Sequence, residues 1–233
     1  LEISKELTYK TNLLFTHARA NINFLKENGF NFEEFTVVPR GLNLREIPQS
    51  TIGLKDNRKD LIIVTRLIKD KNVDKVIDVI AELEKRNSNI NLKIIGDGPY
   101  RKTLIEHTKE LKVDHLVTFL GYLKPKDVYN ELSKSMFFLY PSTKKGERLP
   151  NAVKEAMFLG VIPLVSKTPG VEELINNGED GFIFDPFDVN IVADKIVSLL
   201  ENDIDETIKK AKYKIENEFD ALKNMQTYLE KWK

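Results

Sequence analysis

Residues 61–80 read Leu-Ile-Ile-Val-Thr-Arg-Leu-Ile-Lys-Asp-Lys-Asn-Val-Asp-Lys-Val-Ile-Asp-Val-Ile, and the pattern changes period halfway along. Leu61 to Thr65 are apolar or β-branched without polar alternation, as in a strand buried on both faces. Val73, Val76, Ile77 and Ile80 then recur every three or four residues, which is one face of a helix. Between the two lies a basic loop with Arg66, Lys69 and Lys71. A buried strand feeding an amphipathic helix is half of a βαβ unit, and the same unit recurs along the chain. Strand-like runs stand at 35–38, 92–95, 116–119, 136–140, 161–166 and 181–184. Leu104, Leu111, Val128, Leu132, Ile191 and Ile196 mark amphipathic stretches between them. The alternation predicts an α/β fold with a doubly wound, Rossmann-like parallel sheet. Such sheets bind ligands beyond the carboxyl ends of their strands, beside the topological switch point. The residues that follow each strand therefore carry the functional signal.

The 233 residues suffice for one large domain, or one domain with a remnant of another. Lys plus Arg and Asp plus Glu are both 36, so no net field favours nucleic acid or a membrane surface. With no cysteine, disulfides and thiol catalysis are excluded, which fits a reducing compartment. No apolar run reaches the roughly 20 residues of a membrane span, and the start lacks a signal-peptide pattern. The chain opens on Leu1 rather than Met, which leads to the expectation of a trimmed piece. His17, His107 and His115 are scattered without metal-ligand spacing. Asp203-Ile204-Asp205 sits among charged residues of a late helix and reads as a solvated face. No metal or other cofactor is expected.

Residues 141–157 carry the chemistry: Pro-Ser-Thr-Lys-Lys-Gly-Glu-Arg-Leu-Pro-Asn-Ala-Val-Lys-Glu-Ala-Met. Glu147 and Glu155 are eight positions apart, with Leu149, Pro150 and Asn151 between them at a predicted helix start. Pro suits the first helical turn, where its missing N–H costs nothing. Ala152, Val153, Ala156 and Met157 then form an apolar stripe. The arrangement offers one acid on a loop, free helix N–H groups that attract phosphate, and a second acid one turn in. A carboxylate can accept from both hydroxyls of a diol. A sugar joined to a nucleotide diphosphate satisfies all three features.

With Pro-Ser before it and Glu-Ala-Met after it, this stretch resembles the signature of retaining family 4 (group 1) glycosyltransferases of the GT-B fold. The resemblance runs from about residue 16 to 188. It implies the C-terminal, donor-binding half of such an enzyme, with a hexose passing from a UDP- or GDP-sugar to a saccharide or lipid acceptor. By position, Arg66 and Lys71 match the family's diphosphate-holding Arg and Lys. Glu147 would face the donor sugar's hydroxyls, and Glu155 would hold the ribose. Main-chain groups around Leu149, Pro150 and Asn151 would contact sugar or phosphate. Gly96 and Gly98 belong to Gly-Asp-Gly-Pro, a turn on the nucleotide's floor, and Gly121 and Tyr122 stand at the base pocket. Glu172, in a turn that resembles the family's Gly-Gly-x-Pro-Glu, reads as a structural or capping acid.

The sequence also departs from the family. Thr65 and Asn72 replace glycines. Arg148 stands where a small residue is usual, and 143–146 lengthen the preceding loop by about two residues, which leaves the sugar open. Residues 1–34 are expected to be a strand–helix remnant and crossover from a missing acceptor domain, and 35–233 the donor domain. Its last helix, 215–233, would cross back, with Phe219, Leu222, Met225, Leu229 and Trp232 as an apolar stripe and a candidate dimer contact. A cytoplasmic location follows, with a peripheral site at the inner membrane face open for the full-length protein. A nucleotide-sugar 2-epimerase of the same fold and a non-catalytic nucleotide-binding module are the alternatives. A dehydrogenase is disfavoured because the Gly-x-Gly-x-x-Gly spacing fails.

Overall fold

The computed structural model describes residues 13–31, 34–48, 58–144 and 146–231. Six parallel strands form the central sheet: β3 (Leu61–Val64), β4 (Leu92–Ile95), β5 (Val117–Gly121), β6 (Phe137–Tyr140), β7 (Ile162–Ser166) and β8 (Phe182–Phe184). Their spatial order is β5-β4-β3-β6-β7-β8. Before them come β1 (Leu13–Thr16), α1 (Arg19–Glu27) and β2 (Glu34–Val37). Helices α2 (Val73–Lys85), α3 (Arg101–Glu110), α4 (Pro125–Ser133), α5 (Asn151–Phe158), α6 (Val171–Leu174) and α7 (Val189–Glu201) alternate with the later strands. Two more, α8 (Asp205–Glu218) and α9 (Ala221–Lys231), close the chain. The doubly wound parallel sheet expected from the sequence is the fold observed.

Strand side chains divide between two cores with period 2. Leu61, Ile63, Phe137, Leu139, Ile162 and Leu164 pack under α2 and α7. Ile62, Phe138, Tyr140 and Val165 pack under α4, α5 and α8. Both faces of the sheet are therefore dry, which is why its strands read as unbroken apolar runs.

The strand at Glu34–Val37 is not part of this sheet. It pairs in parallel with β1 as a separate two-stranded sheet, Leu14 opposite Phe35 and Thr16 opposite Val37. The division drawn at 34/35 thus cuts a hydrogen-bonded pair, and the six-stranded unit takes its first strand at Leu61. The helix expected at 215–233 is also two. Leu42 donates its N–H to the Phe219 carbonyl (2.7 Å) and accepts from Ala221 (2.9 Å), so the 41–43 segment bridges the junction. A Cβ on Gly41 would stand 2.3 Å from the Ala221 nitrogen, hence glycine there. Phe219 is consequently buried in the core rather than on the stripe, while Leu222, Met225 and Leu229 are exposed. Trp232 lies outside the described residues. Helix α9 returns toward the N-terminal pair: Tyr228 packs on Phe15 at 4.8 Å between ring centroids.

Lys154 on α5 is fully buried. Its ammonium donates to the Arg40 carbonyl (2.5 Å) and lies over the Phe219 ring. Burial, followed by the positive charge of Arg40, brings its pKa down from 10.5 to about 8. Between those values the unfolded chain binds more protons than the folded one, so stability rises with pH across that window. Measured by urea unfolding, the native chain should gain about 2 kcal/mol on a Lys154→Met variant between pH 7 and pH 10. Parallel pH profiles for the two would show that Lys154 titrates normally and carries no burial cost.

Candidate functional site

From β3 the sheet grows toward β4 and β5 on one side, and from β6 toward β7 and β8 on the other. The boundary between β3 and β6 is the topological switch point, where a crevice opens above the strand ends. The β3 loop brings Arg66 and Lys71 to it, and the β6 loop brings Ser142, Glu147 and the entry to α5.

Lys71 ends a single 3-10 turn (Lys69–Lys71), and its side chain is buried. Its ammonium pairs with Glu147 and donates to the Tyr140 hydroxyl (3.2 Å). Tyr140 and Ser142 donate to the other Glu147 oxygen at 2.5 and 3.0 Å. Burial alone would raise the Glu147 carboxyl, but hydrogen bonds from Lys71, Tyr140 and Ser142 outweigh it and hold the pKa below the ordinary range. Burial and the Glu147 carboxylate push the Tyr140 phenol up. Asn72 adds a second tie. It sits in the left-handed conformation a glycine would adopt (φ +49°), and its amide donates to the Pro141 carbonyl at 2.9 Å.

A cleft of about 510 Å³ opens on the β4 side. Val64, Ile95, Leu123 and Val128 form apolar walls, Arg66 and Gly96 stand at the strand ends, and Glu155 faces in from α5. Tyr122 lies along it with 80% of its surface exposed. Glu155 accepts no hydrogen bond among the described residues. Burial raises its pKa, with the charge of Lys154 pulling the other way. Burial and the charge of Glu155 in turn raise the Tyr129 phenol, another residue of this cleft.

A second pocket of about 480 Å³ shares Val64 with the first. Leu149, Pro150 and Asn151 line it beside Arg40, Glu147 and Arg148. The Pro150 carbonyl accepts from Val153 and Lys154, so the N–H groups of Asn151 and Ala152 precede the first helical bonds and have no acceptor among the described residues.

The structure thus separates what the sequence grouped. Arg66, Glu155, Gly96 and Tyr122 share the first cleft, while Glu147, Leu149, Pro150 and Asn151 share the second pocket. Lys71 lies beneath the second pocket, bound to Glu147. Gly98 lines neither cavity. A Cβ on it would stand 2.3 Å from the Leu67 carbonyl, so it serves the close approach of the β3 and β4 loops. Gly121 also lines neither; at φ +69° its carbonyl accepts from Gly96 at 2.8 Å. Next to Glu172, it is Glu173 that caps, accepting from the Arg19 and Ala20 N–H groups of α1 at 2.8 and 3.0 Å.

Sequence reasoning passed over Tyr140, Ser142, Tyr129 and Arg40. Ser142 stood inside the quoted motif, and Tyr140 ended a strand immediately before it. Arg40 was legible only as part of a crossover.

Glu147→Ala leaves the Lys71 ammonium buried and unpaired, which should cost about 3 kcal/mol in urea unfolding at neutral pH. Glu155→Ala removes a desolvated, unpartnered carboxylate and should leave stability unchanged or raised. Equal losses in both variants would mean that Glu155 is a structural acid.

Residues 45–218 match the family described as glycosyl transferases group 1. Among curated relatives, the putative colanic acid biosynthesis glycosyltransferase WcaL of Escherichia coli is 25% identical over 203 residues, 84% of this chain and 50% of that protein. The N-acetyl-alpha-D-glucosaminyl L-malate synthase of Bacillus anthracis is 30% identical over 65% of this chain and 38% of its own length. The chain spans about half or less of the length of these relatives. Among solved structures, Anabaena HepE in complex with UDP and glucose superposes with a TM-score of 0.84 at 20% identity, covering 99% of this chain and 66% of that one.

Proposed function

Because the chain belongs to the group 1 glycosyl transferases, we propose that it supplies the donor site of a retaining, metal-independent hexosyltransferase. The observation that carries this reading is Glu155. It is a desolvated carboxylate without a protein partner among the described residues, set in an apolar cleft beside Arg66 at the sheet's switch point. A nucleoside fits that cleft chemically. Its base lies against Tyr122 and the aliphatic walls, and its ribose hydroxyls donate to Glu155. A guanidinium bridges two phosphate oxygens, so Arg66 takes the diphosphate together with the N–H groups of Asn151 and Ala152.

The sugar then extends into the second pocket, over Glu147. Departure of the diphosphate leaves an oxocarbenium-like centre, and an acceptor hydroxyl attacks from the same face. The leaving phosphate takes the proton. The protein's contribution is electrostatic and positional. The acceptor, a saccharide or a lipid-linked one, comes from a domain outside this chain. Anabaena HepE holds UDP and glucose, and WcaL is named for colanic acid biosynthesis; both accord with this reading.

Calorimetric titration of UDP and GDP in the presence of EDTA tests it. One of the two should bind, with an affinity on the order of 10 μM to 1 mM. Glu155→Ala should weaken that binding about tenfold or more, as expected for a lost charged acceptor worth roughly 1.5–3 kcal/mol. A strict requirement for Mg²⁺ or Mn²⁺ would overturn the metal-independent reading.

The pH dependence has a definite sign. Ionised Glu155 is the accepting form and its pKa is raised, so affinity should fall on acidification through that raised value. Glu155→Gln should lose this component while the phosphate's own titration stays. Identical pH profiles for the two chains would remove Glu155 from the ribose.

A further inference from the structure

The second pocket is unusually basic for a place that would hold a neutral hexose. Arg40 and Arg148 line it together with His17, and neither arginine has a carboxylate within ion-pairing distance among the described residues. Its one lining acid, Glu147, is already bound to Lys71, Tyr140 and Ser142. The next acid nearby, Glu173, is taken by the N–H groups of Arg19 and Ala20.

Arg148 is held rather than loose. Its guanidinium lies over the Phe24 ring at 5.6 Å, and its Cβ borders the space beside Gly170 and Ala20. Yet its Nε is buried with no acceptor. The main chain at Arg40 is fixed from behind, since the buried Lys154 ammonium holds its carbonyl, while its side chain is exposed. Two arginines line one pocket whose only lining acid among the described residues is already bound, which suits a planar anion that accepts in pairs.

We infer that this pocket binds a carboxylate on the sugar side of the reaction, with Arg148 and Arg40 as specificity-determining residues. The inference rests on the donor-site reading above. A carboxylate on the donor hexose fits first, because Arg148 directly follows Glu147 on the loop assigned to that sugar. A carboxylate on the acceptor has the same chemistry and a separate experimental arm.

Calorimetry on the chain uses two matched pairs: UDP-glucuronic acid against UDP-glucose, and GDP-mannuronic acid against GDP-mannose. In the pair whose nucleotide binds, the uronate should bind about tenfold tighter. Arg148→Gln should bring that ratio to within about twofold while leaving affinity for the free nucleoside diphosphate unchanged. Arg40→Gln should reduce the ratio part of the way and covers the case in which the Arg148 variant misfolds.

In the second arm, free glucuronate and glucose are titrated into the nucleotide-saturated chain. Selective binding of glucuronate, lost in Arg148→Gln, would assign the carboxylate to the acceptor. Nucleotide binding with no uronate preference in either arm would overturn the inference and leave the donor site standing. An equal loss of free nucleotide and of UDP-glucuronic acid in Arg148→Gln would make Arg148 a phosphate ligand and also overturn it. Failure of every nucleotide to bind would defeat the donor-site reading itself, and this inference with it.

Discussion

The contact on which the site depends is the one between Lys71 and Glu147. These residues come from loops after β3 and β6, adjacent strands at which the sheet's winding reverses. Doubly wound topology leaves such loops diverging, which is what creates a crevice. Something must then fix the two sides of the crevice to each other. Here it is a buried ammonium held by a carboxylate, with two hydroxyls completing the carboxylate's shell. A buried pair of this kind adds little net stability compared with an apolar substitute. Its geometry is nevertheless demanding, because each partner left alone would be costly. The loops consequently have one arrangement relative to each other, reinforced by Asn72 on the Pro141 carbonyl.

Helix α5 shows how one element serves both core and site. Lys154 and Glu155 are consecutive, so they point about 100° apart around the helix. Lys154 enters the core and fixes the Arg40 carbonyl, whereas Glu155 turns into the cleft on the β4 side. The buried lysine also leaves the neighbouring carboxylate a positive charge that offsets part of its desolvation. Glu155 can therefore stay available to a ligand without an ion pair of its own.

The sheet was legible because its strands are dry on both faces, and residues such as Leu61–Val64 and Leu92–Ile95 were found where their apolar runs predicted. The spacing of Glu147 and Glu155 located the switch-point loop and the start of α5 at Asn151. What was not legible depends on partners far away in sequence. The strand at Glu34–Val37 reads like the others, and only its pairing with Leu13–Thr16 takes it out of the main sheet. The stripe from Phe219 onward has helical spacing throughout. The break at Phe219–Asp220 comes from Leu42, far earlier in the chain, which takes the hydrogen bonds a continuous helix would use. The burial of Lys154 has no local signal either, since nothing near it in sequence shows that the Arg40 carbonyl awaits it.

The same distinction separates generic from particular recognition in the site. The cleft proposed for the nucleotide is built from strand ends, a close-approach glycine at Gly96 and one acid, all tied to the geometry of the sheet. The adjoining pocket shares only Val64 with it and is built from a crossover segment, the start of α1 and an Arg148 where a small residue is usual. None of those parts is needed to form the sheet, so they can vary without disturbing the fold. In the proposed function, affinity for a nucleotide and choice of sugar would thus rest on different residues, and the Lys71–Glu147 pair joins the two loops that carry them. Under the proposed function, that division would let a donor-binding fold acquire a particular substrate by changes at positions such as Arg40 and Arg148, with Glu155 and Arg66 holding the nucleotide.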